Sequence, residues 1–221
     1  MCRSLLTSLL LCCIFVVLWL SPCRAQSAKP LGNETVEAVS LMMDSARAEG
    51  LPAETLMQKA LEGSTKGASD QRIRDAVHAL LNRLRLAKKV LGGGAAQPEL
   101  TAAAGALYAG VDTSGIRRLK EVHEVRKTGD VPHDQTLAAE LVVLTDLISR
   151  NVPIETAAQV VIGLAEANVG FAEIFEYRRM VEQDIRSGVV PAESAHKRAR
   201  KIAPSLPPFG QEPAHRPGES R

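Results

Sequence analysis

Residues 135–167 read QTLAAELVVLTDLISRNVPIETAAQVVIGLAEA. Apolar residues recur at spacings of three and four in two segments, 135–149 and 154–167, which is the period of a helix with a buried face. Both faces are wider than one stripe, so we expect each helix to contact several neighbours and place the pair at the centre of the fold. The stripe residues are Leu137, Leu141, Leu144 and Ile148, then Ile154, Ala157, Ala158, Val161, Leu164 and Ala165.

The break between these helices has a sequence that occurs three times. Gly or Asn can take the left-handed conformation that ends a helix, and Pro fits the first turn of the next helix, where no N–H is needed. A Glu two residues later suits the positive helix end. We interpret the pattern as a helix–turn–helix joint, arising from shared turn chemistry or from duplication of a hairpin unit. The copies are Pro52-Ala53-Glu54-Thr55, Pro153-Ile154-Glu155-Thr156 and Pro191-Ala192-Glu193-Ser194.

The rest of the chain has the same helical period, without strand-like alternation or a hairpin-turn motif. The pattern predicts an all-α fold, in which eight or nine short helices form an open array or a closed bundle. Residues 26–203 form this domain, with a subdomain break at 92–97 and a disordered Pro-rich tail at 204–221. The predicted helices are 34–48, 53–64, 70–91, 98–108, 113–127, 135–149, 154–167, 171–187 and 191–202. The apolar stripe of the third is Ile73, Val77, Leu80, Leu84, Ala87 and Leu91.

Residues 1–25 have the layout of a cleavable secretory signal: a basic start, an apolar run and small residues before the cut. We predict cleavage between Ala25 and Gln26. The apolar run, Leu5 to Leu20, is shorter than the roughly 20 residues of a typical membrane span. All four cysteines and the single tryptophan lie in this segment, so the mature chain would contain neither: Cys2, Cys12, Cys13, Cys23 and Trp19.

An alternative interpretation of the leader is a bacterial lipoprotein signal. Leu20-Ser21-Pro22-Cys23 resembles the box whose cysteine is acylated and becomes the new N-terminus, although Pro22 fits that pattern poorly. Acylation at Cys23 would place the protein at a membrane face instead of in free solution.

Composition excludes several classes of function. Without Arg3 and Arg24 the chain has 25 basic and 25 acidic residues, which argues against a nucleic-acid-binding protein. The mature aromatic residues are few, so stacking platforms for bases are absent from the pattern. We predict no nucleic-acid partner, and contact with a membrane only if the leader is retained or acylated.

No motif indicates catalysis. The mature chain lacks a cysteine nucleophile, a Gly-x-Ser-x-Gly elbow and the His-Glu-x-x-His zinc pattern. His123 and His133 flank a loop containing Asp130, but ordinary surface histidines explain them better than a metal site does. Glu166 and Glu173 belong to an acidic cluster interleaved with arginines, which favours a solvated face. An enzyme using these carboxylates would need both of them buried.

These observations predict an exported, non-catalytic protein with an interaction or structural role in the cell envelope, periplasmic or extracellular. Its expected partner is an unidentified envelope protein, and no cofactor, metal or catalytic residue is predicted. The alternatives are a lipoprotein acylated at Cys23 and, less favoured, a carboxylate-dependent enzyme.

Overall fold

A computed structural model describes residues 30–125 and 133–206. These residues form nine α-helices and no strand, which confirms the all-α prediction. The leader, with Cys23, Ala25 and Gln26, lies outside the described residues, as does the tail from 207. The helices are α1 Asn33–Ala48, α2 Glu54–Thr65, α3 Asp70–Leu91, α4 Gln97–Tyr108, α5 Thr113–Val125, α6 His133–Ser149, α7 Ile154–Glu166, α8 Phe171–Arg186 and α9 Pro191–Ile202.

The helices pack in chain order. Each substantial contact joins a helix either to the next one or to the next but one: α1 packs on α2 and α3, α4 on α5 and α6, and α7 on α9. This is the contact order of an array, in which each element is stabilised by its near neighbours in sequence. Of the helices in the described ranges, none is long and apolar enough to cross a membrane.

Most joints between the described helices share one geometry. Six have a Gly or Asn with φ between 57° and 97°, the left-handed conformation that ends a helix, followed by a residue that donates its N–H to the carbonyl five residues back. Examples are Leu51 to Ala46 at 2.8 Å and Val152 to Leu147 at 3.1 Å. The joint after α3 differs, because Gly92 has φ 91° with an extended ψ of 169°. The sequence analysis predicted the break between α7 and α8 but did not identify Asn168 as a residue with this turn chemistry. The six residues are Gly50, Gly67, Gly110, Asn151, Asn168 and Gly188.

Part of the second half of the chain corresponds to the first at an offset of 101 residues, the distance from Pro52 to Pro153. Several positions related by this offset in α1, α2 and the start of α3 are buried, as are their counterparts in α6, α7 and the start of α8. The correspondence ends there, because α4 and α9 begin 94 residues apart and α2 packs on α3 whereas α7 packs on α9. The buried pairs are Val39/Glu140, Met43/Leu144, Ala46/Leu147, Leu51/Val152, Leu56/Ala157, Ala60/Val161, Ser64/Ala165 and Ile73/Ile174.

The core is aliphatic apart from the buried Tyr177, and within it α6 packs against α4, α5, α7 and α8. Its most extensive partner is α4, whose buried face is largely alanine, and small side chains let two helix axes approach closely. The stripe predicted for α3 was wrong at one position: Leu81 is buried where Leu80 was expected, and Leu80 is half-buried. Leu80 and Leu81 both lie near the buried face of α3, because they follow Val77 by three and four residues and the helical period allows either spacing.

An ion pair joins α8 and α9 across the joint at Gly188, where the third copy of the turn sequence lies. Asp184 Oδ2 accepts hydrogen bonds from Arg198 Nε at 2.7 Å and from the Ser194 hydroxyl at 3.0 Å. The bond from Arg198, assisted by Ser194 and opposed by burial, lowers the pKa of Asp184 to about 2.

Two helical glycines provide a matched test of packing. A Cβ at Gly105 in α4 would meet nothing within 4 Å, whereas one at Gly163 in α7 would overlap the Leu206 side chain. We expect Gly105→Ala to stabilise the fold by about 0.5–1 kcal/mol, since alanine favours the helix. Gly163→Ala should destabilise it by about 1 kcal/mol, because displacing Leu206 outweighs that gain.

Urea denaturation of both variants measures these changes. In a double-mutant cycle with Leu206→Ala, the cost of Gly163→Ala should disappear. Equal effects of the two glycine substitutions would contradict this account of the packing.

The Asp184 ion pair predicts a pH dependence. Because the folded pKa lies below the unfolded value of about 3.9, the carboxylate contributes stability above pH 4 that is lost as the pH falls towards 2. Asp184→Asn should therefore cost about 1 kcal/mol at neutral pH and close to nothing near pH 2. Denaturation at several pH values across this range measures the cost of Asp184→Asn. The control, Glu62→Gln, removes a more exposed carboxylate and should have a smaller effect. A cost that does not change with pH would contradict the prediction.

Candidate functional site

An apolar groove of about 810 Å³ opens where the start of α2 faces α4 and α6. Both long walls are helical, because the lining residues recur at spacings of three and four along α4 and α6. The groove is therefore a product of how these two helices pack. Its lining residues are Pro52, Glu54, Thr55, Gln97, Pro98, Thr101, Ala102, Gly105, Ala138, Val142, Thr145, Asp146 and Ser149.

Small residues lie along the groove and one large apolar residue is exposed in it. Ala102 and Ala138 are buried, and Gly105 leaves open space where a side chain would be. Val142 lies on α6 with 43% of its surface exposed, although Leu141 and Val143 on either side of it are buried. An exposed apolar side chain beside small neighbours leaves room for another side chain to pack against it.

The hydroxyl groups that line the groove hydrogen-bond to the protein's own backbone. The Thr101 hydroxyl donates to Gln97 O at 3.0 Å and the Thr145 hydroxyl to Leu141 O at 2.8 Å. The remaining two make the same kind of bond, so these hydroxyl protons are already engaged. They are Ser149, donating to Asp146 O at 2.7 Å, and Thr55, donating to Pro52 O at 2.6 Å.

The two carboxylates in the groove are paired with arginines. Glu54 accepts from Arg47 at 3.2 Å, and Asp146 accepts from Arg150 at 2.8 Å and from Arg178 at 2.7 Å. Burial acts to raise the pKa of Asp146, but the two guanidinium groups outweigh it and hold the pKa below its usual value. Both carboxylates therefore stay ionised, and the paired arginines balance their charge. The groove is apolar in character.

A second, polar pocket of about 450 Å³ lies between the end of α3, the start of α4 and the end of α5. Glu99 and His123 line it and are buried, and Lys120 lies at its wall. Glu140 is 1% exposed, and its carboxylate approaches His123 Nδ1 at 4.0 Å. Glu99 also accepts the Ala96 N–H at 2.9 Å, which caps α4. Its polar lining and size suit a small polar molecule.

The structure separates the carboxylates that were candidates for catalysis. Glu166 is exposed and pairs with Arg118 at 3.4 Å. Glu173 is exposed and accepts the Gly170 N–H at 3.1 Å, which caps α8. The condition for the enzyme alternative, burial of both acids, is not met, and we do not retain Glu166 and Glu173 as catalytic candidates.

The histidine predictions have mixed outcomes. His123 was expected at the surface, and this was wrong: it is 5% exposed, because it lies on the apolar stripe of α5 with Ile116 and Leu119. Asp130 lies outside the described residues, and the side chain of His133 is not described. Among the described side chains, no group of three acidic, histidine or cysteine residues could hold a metal ion.

Sequence reasoning did not find the groove. The signals available were the alanine-rich segment 101–106 with Gly105, which allows close helix packing, and Val142 beside a complete apolar stripe. Comparison of the chain with protein-family models, curated proteins and solved structures found no match. The function is therefore inferred from the chain's own residues.

Proposed function

We propose that this is an exported, non-catalytic helical protein that binds a protein partner in the cell envelope. The observation that carries the proposal is the groove, a concave apolar surface open to solvent. Apolar surfaces of this kind commonly mark protein-binding sites. Export is supported by the signal-like residues 1–25, with cleavage between Ala25 and Gln26, and acylation at Cys23 is the alternative.

The character of the groove favours a protein over the other classes of ligand. Its lining contains no Lys, Arg or His, so it offers nothing to a phosphate backbone. Apart from the Gln97 amide, its polar side chains are already hydrogen-bonded or ion-paired, whereas small-molecule sites use several convergent polar groups to orient their ligands. Burial of partner side chains against Val142 and the neighbouring small residues is what the groove can provide.

Two substitutions in the groove should weaken binding of the envelope partner. Val142→Gln places an amide in the apolar surface, and Gly105→Phe fills the open space above α4. We expect each to reduce recovery of the cross-linked partner from envelope extract by at least about tenfold, equivalent to 1.4 kcal/mol. Quantitative mass spectrometry of the cross-linked products, in which the protein is joined to itself or to other proteins, measures this recovery.

The matched control is Val36→Gln. Val36 lies on α1 outside the groove and is 40% exposed, compared with 43% for Val142. It should leave recovery unchanged. Equal losses for Val36→Gln and Val142→Gln, or no loss for either groove variant, would contradict binding through the groove.

The leader can be tested by the intact mass of native protein from soluble and membrane fractions. Cleavage predicts a soluble species starting at Gln26, without cysteine or tryptophan. Acylation predicts a membrane species starting at a lipid-modified Cys23, which Cys23→Ala would release. A species retaining residues 1–25 would contradict both forms of processing.

A further inference from the structure

The groove restricts what kind of protein segment can occupy it. Resting on the proposed function, we infer that the occupant is an amphipathic α-helix of the partner, two to three turns long, that inserts an uncharged apolar stripe between α2, α4 and α6. The inference depends on the hydrogen-bonding state, the lining chemistry and the dimensions of the groove.

Hydrogen bonding disfavours an extended segment. A bound strand needs a row of backbone donors and acceptors on the receptor, normally at a sheet edge, and the described residues contain no strand. Apart from the first turns of α2 and α4, the groove walls are helix interiors, whose backbone groups bond internally. The four hydroxyls in the groove donate to their own backbone, and its carboxylates are paired with arginines, which leaves the Gln97 amide as a side-chain partner. A segment that satisfies its own backbone, as a helix does, fits this lining best.

Two other recognition modes are excluded by the lining. Polyproline segments bind between aromatic side chains, and none of the lining residues is Phe, Tyr or Trp. Phosphorylated or acidic motifs need arginine or lysine, and the lining contains neither. The remaining common mode is insertion of an amphipathic helix into an apolar groove.

The dimensions suit a helix. The α4 wall runs from 97 to 105, about 12 Å, and the α6 wall from 138 to 149, about 16 Å, at 1.5 Å per residue. These lengths match two to three turns of a third helix. Ala102, Gly105 and Ala138 are small enough for its axis to approach to the usual 8–10 Å.

The chemistry of the occupant follows from the neutralised charges. Because Glu54 and Asp146 already pair with arginines, charged residues on the inserted helix would find no unpaired carboxylate in the groove and would lose their hydration. We expect aliphatic residues at i, i+3, i+4 and i+7, and affinity that depends little on salt.

The test uses the full processed chain and a designed peptide probe of about 18 residues, long enough to form helix in isolation. Its leucines lie at i, i+3, i+4 and i+7, with Ala, Gln and Glu–Lys pairs elsewhere. The control has the same composition with the leucines in strand-like alternation. Calorimetry should show the alternating peptide binding at least about tenfold more weakly, and less than about a twofold change for the helical probe between 0.05 and 0.5 M salt.

Variants localise the binding. Gly105→Phe and Val142→Gln should each weaken binding of the helical probe about tenfold, with Val36→Gln as the unchanged control. Circular dichroism melts establish that each variant is folded, and either groove variant alone is sufficient. Equal binding of the two peptides, or binding insensitive to the groove variants, overturns the inference.

Other occupants give distinct results. If the protein sediments as a dimer that the groove variants dissociate, the occupant is a second copy. If removing residues 207–221 strengthens probe binding, the occupant is the protein's own tail. Either result overturns the inference.

The inference and the proposed function fail in different ways. If the groove variants abolish partner cross-linking but the helical probe neither binds nor competes, the inference fails and the proposed function stands. If neither partner nor probe depends on the groove, both fail.

Discussion

The left-handed helix stop is the constraint on which the rest of this structure depends. Where Gly or Asn reverses the chain, the following residue both bonds back to the preceding helix and buries its side chain, as Leu51 and Val152 do. Each joint is therefore attached to the core as well as to the turn. Helices so joined lie against near neighbours in sequence, and the array follows. The groove follows in turn, since its walls are the next-but-one neighbours α4 and α6.

The repeat also shows where the chain departs from purely structural requirements. Glu140 is fully buried at the position where the first half has Val39, and an ionisable group there costs more than an aliphatic one. Such violations of a local rule are concentrated at functional or strained sites. Val142 is a departure of the opposite kind, an exposed aliphatic residue between buried neighbours. Both lie on α6, which also contributes Leu137 to the polar pocket, so α6 links that pocket to the groove.

Periodicity was enough to predict most of the helices, because their apolar faces recur with the helical period and no other. It also predicted the joints, since Gly, Asn and Pro act locally. It could not predict which helices pack together, because alanine-rich α4 has a weak apolar pattern although it makes the most extensive contact with α6. The groove was missed for the same reason: a gap depends on the positions of three helices that are distant in sequence. His123 was misjudged because polarity suggested a surface position, whereas its place on the stripe of α5 decided its burial.

The groove combines helices from both halves of the chain. The start of α2 and the length of α4 come from the first half, and α6 comes from the second. The alanine face of α4 packs on α6, which is its most extensive contact, and among the described helices α4 makes no substantial contact with α2. The space between α2 and α4 is therefore left open beside α6, and partner binding there would depend on how the two halves pack together.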